Sequence, residues 1–355
     1  MNVVMPLRRR PLLAALLATA LPAWALPPRT LRFPRDHGAH PELRTEWWYI
    51  TGQLRAGARE FGFQLTFFRS RVDEAQGMAS AFAARQLVFA HAAVTDLQGR
   101  KLLHDERIAR AGFGIAEAAQ DDTRVALRDW SPERGADGLY TARLPAEGFG
   151  LALRCAPTQP VLLQGTDGLS RKGPDPAQAS YYYSQPQLQV QGQLRLAEQR
   201  FEVSGRAWLD HEWSEALMHP EAVGWDWTGI NFDDGSALTA FRLRRADGSA
   251  LWDGGSFRPA GATQARAFAP GRTHWTPLRP WRSPRSAASY PVEWAPDCPG
   301  GRLPLHPPVE GQGLGSRAST GAIYWEGLSA LRDASGRVVG RGYLEMTGYA
   351  QRLRL

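Results

Sequence analysis

The densest group of chemically active side chains lies between residues 208 and 227. In it, the imidazole of His211 stands between the carboxyl groups of Asp210 and Glu212, with tryptophans on both sides. Imidazole and carboxyl groups exchange protons near neutral pH when their surroundings shift their pKa values. We therefore take His211 and Asp210 as catalytic candidates for acid–base chemistry.

In an extended backbone these side chains separate onto two faces. Leu209, His211 and Trp213 point to one side, and Asp210 and Glu212 point to the other. One interpretation places His211 and Trp213 in a ligand pocket, with a carboxylate from elsewhere tuning the imidazole. The other interpretation makes His211 a hydrogen-bonded structural residue beside two solvated acids. We favour the first, because a histidine between two acids and two tryptophans is unusual for plain packing.

A second group opens with Asp36-His37-Gly38-Ala39-His40 and continues to Glu46. Glu46 precedes two tryptophans, of which Trp48 is a ligand-binding candidate; partial burial there would raise the pKa of Glu46 and make it a proton donor. The histidine spacing suits a metal, but no standard ligand set accompanies it, so we expect no metal and no cofactor. The alternative interpretation of residues 36–40 is a turn that caps the fold.

Four further candidates come from aromatic clusters. Trp225 and Trp227 are expected to line a ligand site, and Asp226 between them is a second candidate acid. Residues 166–186 predict a long polar loop ending in three tyrosines, among them Tyr182, and such loops commonly serve as lids or binding loops. Nucleophilic hydrolysis finds little support, because the chain has no G-x-S-x-G elbow.

The elements that must position these residues are strands. Residues 187–196 (QLQVQGQLRL) alternate polar and apolar side chains, which indicates a strand with one buried face. Similar runs recur between Gly, Asp and Pro turns, with almost no helical periodicity, so the fold class is all-β, a sandwich or a barrel. Residues 260–308 are rich in Pro and Arg and predict an irregular segment. The other predicted strands are 60–71, 86–96, 139–144, 149–155, 200–213, 236–244 and 337–353.

An internal repeat predicts two copies of one unit. Residues 48–52 (WYITG) resemble 225–229 (WDWTG), and the strand after each also matches, LTFFRSR at 65–71 against LTAFRLR at 238–244. The predicted boundary lies near residues 214–222, which gives an N-terminal domain at 26–217 and a C-terminal domain at 218–355.

Residues 1–25 predict a cleaved signal peptide. They combine Arg8, Arg9 and Arg10 with a short apolar stretch and an Ala-Trp-Ala cleavage pattern. We therefore expect a periplasmic or secreted protein, exported by the Sec or Tat route. The remaining basic residues are scattered, which argues against nucleic acid as a partner. Whether the two cysteines, Cys155 and Cys298, form a disulfide stays open.

The sequence resembles the AttH-like family, which includes bacterial carotenoid 1,2-hydratases and proteins named predicted secreted hydrolases. The resemblance implies two consecutive lipocalin-like antiparallel β-barrels and an apolar ligand such as a lipid, isoprenoid or polyene. The stretches that carry it are 33–54, 170–184, 208–214 (WLDHEWS), 224–235 (GWDWTGINFDDG) and 342–350 (GYLEMTGYA).

In the hydratases of this family a carboxylic acid is thought to protonate an alkene, and aromatic faces stabilise the cation. Their motif histidine and tryptophan match His211 and Trp213. Their partnering tyrosine and aspartate have no counterpart, because residues 238–243 read LTAFRL, so Glu46 or Asp226 would have to supply the proton. The resemblance thus leaves two functions open: a hydro-lyase or hydrolase acting where the two barrels meet, or a non-catalytic carrier serving an ABC transport system. Contact with a membrane would be peripheral at most.

Overall fold

The computed structural model describes residues 25–298, 301–302, 304–316 and 319–353. The predicted signal peptide therefore lies, except for its last residue, outside the described part. Among the described residues the only helices in the element order are two short 3₁₀ turns, Arg35–His37 and Asp73–Ala75. No helix in this part of the chain is long and apolar enough to cross a bilayer. The all-β prediction is confirmed.

Eleven strands form the first sheet, which is antiparallel and curls into a half-barrel. Its path runs β4-β3-β2-β1-β13-β12-β9-β8-β7, and β10 and β11 pair with β12. The strands are β1 (Thr45–Ala56), β2 (Arg59–Arg71), β3 (Gln86–Asp96), β4 (Lys101–Arg110), β7 (Ser131–Arg134), β8 (Tyr140–Pro145), β9 (Phe149–Ala156), β10 (Leu162–Leu163), β11 (Leu169–Arg171), β12 (Ala179–Leu196) and β13 (Gln199–Ala216). A separate ribbon pairs β5 (Ala116–Ala118) with β6 (Val125–Leu127).

The second sheet repeats this plan in the remainder of the chain. Its path runs β17-β16-β15-β14-β24-β23-β21-β19-β18, with β20 on β19 and β22 on β23. The strands are β14 (Gly224–Phe232), β15 (Ala237–Arg244), β16 (Ala250–Arg258), β17 (Arg266–Ala267), β18 (His274–Arg282), β19 (Ser289–Cys298), β20 (Gly301–Arg302), β21 (Leu305–His306), β22 (Gly313–Gly315), β23 (Ile323–Arg332) and β24 (Val338–Met346).

The two repeat motifs occupy equivalent places. Residues 48–52 lie in β1, which pairs with β2 and with the last long strand of its sheet, β13. Residues 225–229 lie in β14, which pairs with β15 and with the last strand of its sheet, β24. The strand that opens each sheet is therefore central in it, between its hairpin partner and the strand that returns at the end.

Each sheet encloses its own apolar core. Trp48, Leu65 and Trp213 are buried inside the first sheet, and Trp294 and Trp325 inside the second. These positions alternate along their strands with side chains that face the other way, as a pleated strand requires.

A further apolar cluster packs the outer faces of the two sheets against each other. It joins Tyr49 and Trp208 of the first sheet to Trp227, Leu328 and Tyr343 of the second. Central strands such as β1, β13 and β14 are consequently buried on both faces. This explains the apolar run WWYI in β1, whereas the acids of β13 and β14 are buried beside polar partners.

Two loop predictions are wrong. Residues 179–186 belong to β12, and Tyr182 pairs with Glu212 on β13 instead of standing in a loop. The alternation of polar and apolar side chains breaks off before residue 187 because β12 has a bulge between Gln185 and Leu188, which contains Pro186. A bulge accommodates a proline, which cannot donate a backbone hydrogen bond.

The predicted irregular segment at 260–308 contains the hairpin of β18 and β19. The pairing shifts register at Pro277/Arg279 and again at Arg279/Trp281. These irregularities admit the prolines that made the segment look unlike a strand. Cys155 and Cys298, in different sheets, are both free and buried.

Candidate functional site

A cavity of about 290 Å³ lies between the outer faces of the two sheets. We call it the inter-sheet cavity. Its walls are mainly apolar and aromatic, which suits a small hydrophobic ligand. The aromatic side chains that line it include Tyr49, Phe68, Phe89, Trp225, Trp227 and Phe241.

Strand alternation decides which of the predicted residues reach this cavity. On β13, Asp210 and Glu212 line it, whereas His211 and Trp213 point into the core of the first sheet. On β14, Trp225 and Trp227 line the cavity. The predicted faces are therefore observed, but the face that meets the cavity carries the acids and not the histidine.

Gly229 allows the indoles at this junction to pack closely. A Cβ atom at this position would lie 2.6 Å from Trp227 Cη2 and 3.0 Å from Trp208 Cε2. The two indole rings pack edge to face with centroids 6.4 Å apart. The last residue of the WDWTG motif thus leaves room for an aromatic wall where β13 meets β14.

Two glutamates that the sequence analysis did not select dominate the chemistry of the cavity. Glu326 on β23 and Glu345 on β24 are register partners, and both line the cavity. Burial, followed by repulsion from Glu345, raises the pKa of Glu326 well above its ordinary value. Burial likewise raises the pKa of Glu345 to about 7, although the Trp225 side chain hydrogen-bonds its carboxyl and opposes the shift. At neutral pH the pair therefore retains at least one proton inside an apolar cavity.

Asp210 is a weaker proton donor despite its burial. Burial raises the pKa of Asp210 to about 7. However, its carboxylate accepts hydrogen bonds from Ser184 Oγ at 2.5 Å, Trp208 Nε1 at 2.7 Å and the Tyr182 hydroxyl at 2.8 Å. These three donors occupy the oxygens that would hold a transferable proton, so Asp210 is better placed to orient Tyr182. The Trp227 indole donates to the same tyrosine hydroxyl at 3.2 Å.

A buried ion pair occupies the wall next to Asp210. Lys172 Nζ lies 2.9 Å from Glu212 Oε1, and both side chains are more than nine-tenths buried. The ammonium also lies 4.2 Å from the centroid of the Phe241 ring and 4.8 Å from that of Tyr182. Lys172 therefore has its charge balanced within the protein.

Glu46 is among the residues that line the inter-sheet cavity, but its carboxylate is engaged by other side chains. Its carboxylate is inside the first sheet, where Arg69 Nε lies 2.8 Å from Oε2 and the rings of His40 and His211 lie 2.7 and 2.9 Å from Oε1. Burial alone would raise the pKa of Glu46, but the hydrogen bonds from His211 and His40 hold it well below its ordinary value. The prediction of a raised pKa is wrong, because the hydrogen bonds from the His211 and His40 rings outweigh the effect of burial.

His40, Glu46 and His211 bring three possible metal-ligand atoms within 4.8 Å of one another. The contacts between them are at hydrogen-bond distances, and the Arg69 guanidinium lies against the same carboxylate. A divalent ion would have to break these hydrogen bonds and sit beside a fixed positive charge. The donor set therefore fits a hydrogen-bonded network better than a metal centre.

This network fastens the segment at residues 36–40 to the first sheet. Asp36 lies 3.0 Å from His40 Nε2, and the His40 ring stacks on Trp213 with centroids 4.0 Å apart. Trp48 Nε1 donates to the backbone oxygen of His37 at 3.0 Å. The segment thus caps the first sheet, and Trp48 and Trp213 are structural residues here instead of ligand contacts.

His211 is held in the neutral form at this position. Burial lowers its pKa to about 4, against the opposing effect of the hydrogen bond that its ring donates to Glu46. Its side chain is fully buried, and its other ring nitrogen lies 3.3 Å from the Tyr183 hydroxyl. The placement corresponds to the interpretation of His211 as a hydrogen-bonded structural residue.

Asp226 also points away from the cavity, so the expectation that it acts there is corrected. Its carboxylate, inside the second sheet, lies 2.7 Å from Arg242 Nε and 3.0 Å from Arg244 Nε. The Tyr349 hydroxyl donates to its other oxygen at 2.9 Å. Because Asp226 alternates with Trp225 and Trp227, only one of these two sets can face the cavity.

A polar chain bridges the sheets at another part of the cavity wall. His91 Nδ1 lies 2.7 Å from the Tyr324 hydroxyl, and His91 Nε2 lies 2.7 Å from Ser319 Oγ, which donates to Glu106 at 2.5 Å. His91 and Glu106 belong to the first sheet, and Ser319 and Tyr324 to the second half of the chain. These contacts help to fix the sheets relative to each other.

The sequence analysis missed Glu326, Glu345 and Lys172. A signal was present in each glutamate, since an acid alternates there with apolar side chains in a strand: Tyr-Trp-Glu-Gly-Leu and Tyr-Leu-Glu-Met. The pattern did not reveal that the outer face of these strands is covered by the other sheet. Because the first sheet covers this face, Glu326 and Glu345 are buried and not exposed to solvent.

Several solved structures share this architecture. The crystal structure of a protein assigned as AttH from Nitrosomonas europaea superposes with a TM-score of 0.85 and 44% identity, over 93% of this chain and 99% of that chain. Kievitone hydratase from Nectria haematococca superposes with a TM-score of 0.68 and 13% identity, over 91% of this chain and 96% of that chain. CghA bound to Sch210972 gives a TM-score of 0.53 and 13% identity, over 86% and 88%.

At 13% identity the last two structures show a shared fold alone. No curated protein matches the sequence. The family model described as AttH-like matches residues 24–349, which is most of the chain. Together with the two curled sheets and the 44% identical structure, this match shows that the chain belongs to the AttH-like family.

Proposed function

We propose that this protein binds a small hydrophobic molecule in the inter-sheet cavity and adds water to it, or removes water from it, by acid catalysis. The observation that carries the proposal is the pair of buried, register-matched glutamates, Glu326 and Glu345, in a mainly aromatic and apolar cavity. A carboxylic acid that stays protonated at neutral pH is a general acid ready for use.

The reaction balances with the groups of the cavity and water alone. In hydration, the carboxyl proton forms a C–H bond with one carbon of a C=C double bond, and the π electrons are consumed. The carbocation left on the other carbon is stabilised by aromatic faces such as those of Trp225 and Trp227. Water donates an oxygen lone pair to this carbon, and the proton it releases returns to the carboxylate. Dehydration is the reverse.

Glu326 is the better proton donor and Glu345 the group that keeps it protonated. Glu326 Oε1 has no hydrogen-bond partner among the described residues. A negative charge on Glu345 at its register-partner position disfavours ionisation of Glu326. Asp210 and Glu212 are instead engaged by hydrogen-bond donors and by Lys172.

Family membership and the fold shared with kievitone hydratase support a hydratase class. A non-catalytic carrier remains the alternative, since the same cavity would serve one. The cellular setting is also part of the proposal: export through residues 1–25, with an ABC transport system as a candidate partner. Comparing the intact mass of the protein from a periplasmic extract with that of the full chain tests the cleavage.

The function is tested by extracting the purified protein with organic solvent and identifying retained apolar compounds by mass spectrometry. Each compound is then incubated in D₂O with the wild type, with Glu326→Gln, and with a control, Glu198→Gln, which changes an exposed acid. We expect a product that differs by one water, formed by the wild type and the control but not by Glu326→Gln; a hydration product would also carry deuterium on carbon, whereas a dehydration product would not gain any. Unchanged compound in all samples would overturn catalysis and leave the carrier. Failure to retain any apolar compound would overturn both.

A further inference from the structure

Three buried polar atoms at or directly behind the wall of the inter-sheet cavity have no partner at hydrogen-bond distance among the described residues. They are the Tyr49 hydroxyl, Gln64 Oε1 and Glu326 Oε1. The three residues are only 6%, 1% and 3% exposed. A buried polar atom without a hydrogen-bond partner destabilises a folded protein, so three together need an explanation.

The three side chains converge from both sheets. Tyr49 on β1 and Gln64 on β2 come from the first sheet, and Glu326 on β23 comes from the second. Gln64 Nε2 donates to Thr66 Oγ1 at 2.8 Å and to Glu326 Oε2 at 3.2 Å. The amide nitrogen is therefore occupied, and the amide oxygen is the atom left over. Tyr49 and Glu326 line the cavity close enough to influence each other's pKa, whereas Gln64 lies behind the lining and is joined to it through Glu326.

The unused atoms define which chemical group would satisfy them. Gln64 Oε1 only accepts hydrogen bonds, whereas a tyrosine hydroxyl and a protonated carboxyl both donate and accept. A group with one O–H donor and oxygen lone pairs fits this set. A hydrocarbon would leave all three atoms unpaired, and an ether would leave the acceptor Gln64 Oε1 unpaired.

Building on the proposed function, we infer that Tyr49, Gln64 and Glu326 form a hydroxyl subsite, which binds the alcohol oxygen of an otherwise apolar ligand. In the proposed reaction this oxygen is the one that hydration adds and dehydration removes. The ligand class is thus an apolar alcohol and its alkene counterpart.

Charge at this point disfavours two other classes of polar group. An anionic head group would face Glu326 and Glu345, while Lys172 is already paired with Glu212. A cationic amine would need an ionised carboxylate. Burial and the neighbouring Glu345 raise the pKa of Glu326 well above its ordinary value, so the carboxyl at the subsite itself does not supply that charge, and Glu345, with a pKa raised to about 7, is ionised only in part at neutral pH.

The inference is tested by ligand binding, without any turnover. The purified full chain is titrated with 1-decanol, with its methyl ether and with decylamine, and tryptophan fluorescence is recorded. We expect the wild type to bind the alcohol about two- to tenfold more tightly than the ether, the effect of a net hydrogen bond. In Tyr49→Phe and in Gln64→Met the ratio of alcohol affinity to ether affinity should fall towards one.

Tyr290→Phe is the matched control. Its hydroxyl is also buried without a hydrogen-bond partner among the described residues, but it belongs to the core of the second sheet. This variant should keep the preference for the alcohol. Equal affinities of alcohol and ether in the wild type would overturn the hydroxyl subsite, as would tighter binding of decylamine. If none of the three probes binds, the failure lies with the proposed function instead.

Discussion

Glu326 and Glu345 face each other across two paired strands of the second sheet, and the first sheet covers them both. Neither acid would be unusual on a solvent-exposed strand. Packing the two sheets together removes their water and leaves the pair in an aromatic cavity, where the charged form is disfavoured. The chemistry of the site therefore arises from the contact between the sheets.

The first prediction concerns the pH dependence of stability. Burial raises the pKa of Glu345 from 4.5 to about 7. A carboxyl with a higher pKa in the folded state binds more protons there than in the unfolded state, so stability falls as pH rises from about 4.5 to about 7 and then levels off. In Glu345→Gln we expect this decline to be reduced by about 1–3 kcal/mol. Urea unfolding from pH 4.5 to 8 measures it.

Glu198→Gln serves as the control for this measurement, because Glu198 is exposed. Its unfolding free energy should follow the wild-type curve across the range. A Glu345→Gln curve parallel to that of the wild type would show that Glu345 ionises as easily in the folded as in the unfolded chain.

The second prediction separates two tryptophans that look alike in the sequence. Trp227 lines the cavity, whereas Trp213 is buried in the first core and stacks on His40. Trp227→Ala should weaken binding of an apolar probe such as 1-decanol by about 1–3 kcal/mol. Trp213→Ala should cost about 3–5 kcal/mol of stability and leave probe affinity unchanged in the folded fraction. Fluorescence titration and urea unfolding of both variants give the two quantities, and a reversed pattern would refute the assignment of faces.

The third prediction concerns the buried pair Lys172–Glu212. Replacing the lysine by methionine leaves Glu212 without its cation, and we expect a loss of about 3–5 kcal/mol in unfolding free energy. Adding Glu212→Gln removes the uncompensated charge and should restore most of the stability. A double-mutant cycle from urea denaturation measures the coupling. Additive effects of the two substitutions would mean that the pair does not interact.

The fourth prediction concerns Glu46, which is held ionised by Arg69 and two histidines. Glu46→Gln should destabilise the protein at neutral pH by about 3–5 kcal/mol, because Arg69 loses its buried partner. Since the pKa of Glu46 is below its ordinary value, the wild type loses this contribution as pH falls below about 4.5. The difference in unfolding free energy between the wild type and Glu46→Gln should therefore become smaller in acid. The affinity of the variant for 1-decanol at neutral pH should stay unchanged. Loss of affinity in a folded variant would place Glu46 in the ligand site after all.

Some of the site was within reach of the sequence. The alternation at 208–213 correctly separates His211 and Trp213 from Asp210 and Glu212, because a strand places successive side chains on opposite faces. The same rule separates Asp226 from its two tryptophan neighbours. Strand alternation does not say which face meets the cavity. The prediction that His211 and Asp226 face the cavity is wrong for this reason.

The amino-acid sequence by itself determined the all-β class, the positions of eight of the strands and the correspondence of β1 with β14, because these depend on local alternation, turn residues and an internal repeat. Only the tertiary structure decided that both faces of the central strands are buried, that Glu326 and Glu345 share a cavity with Trp225 and Trp227, and that Glu46 is paired with Arg69. Those facts depend on contacts between residues far apart in the chain. The desolvation that shifts a pKa is a property of the packed sheets and is not encoded at any single position.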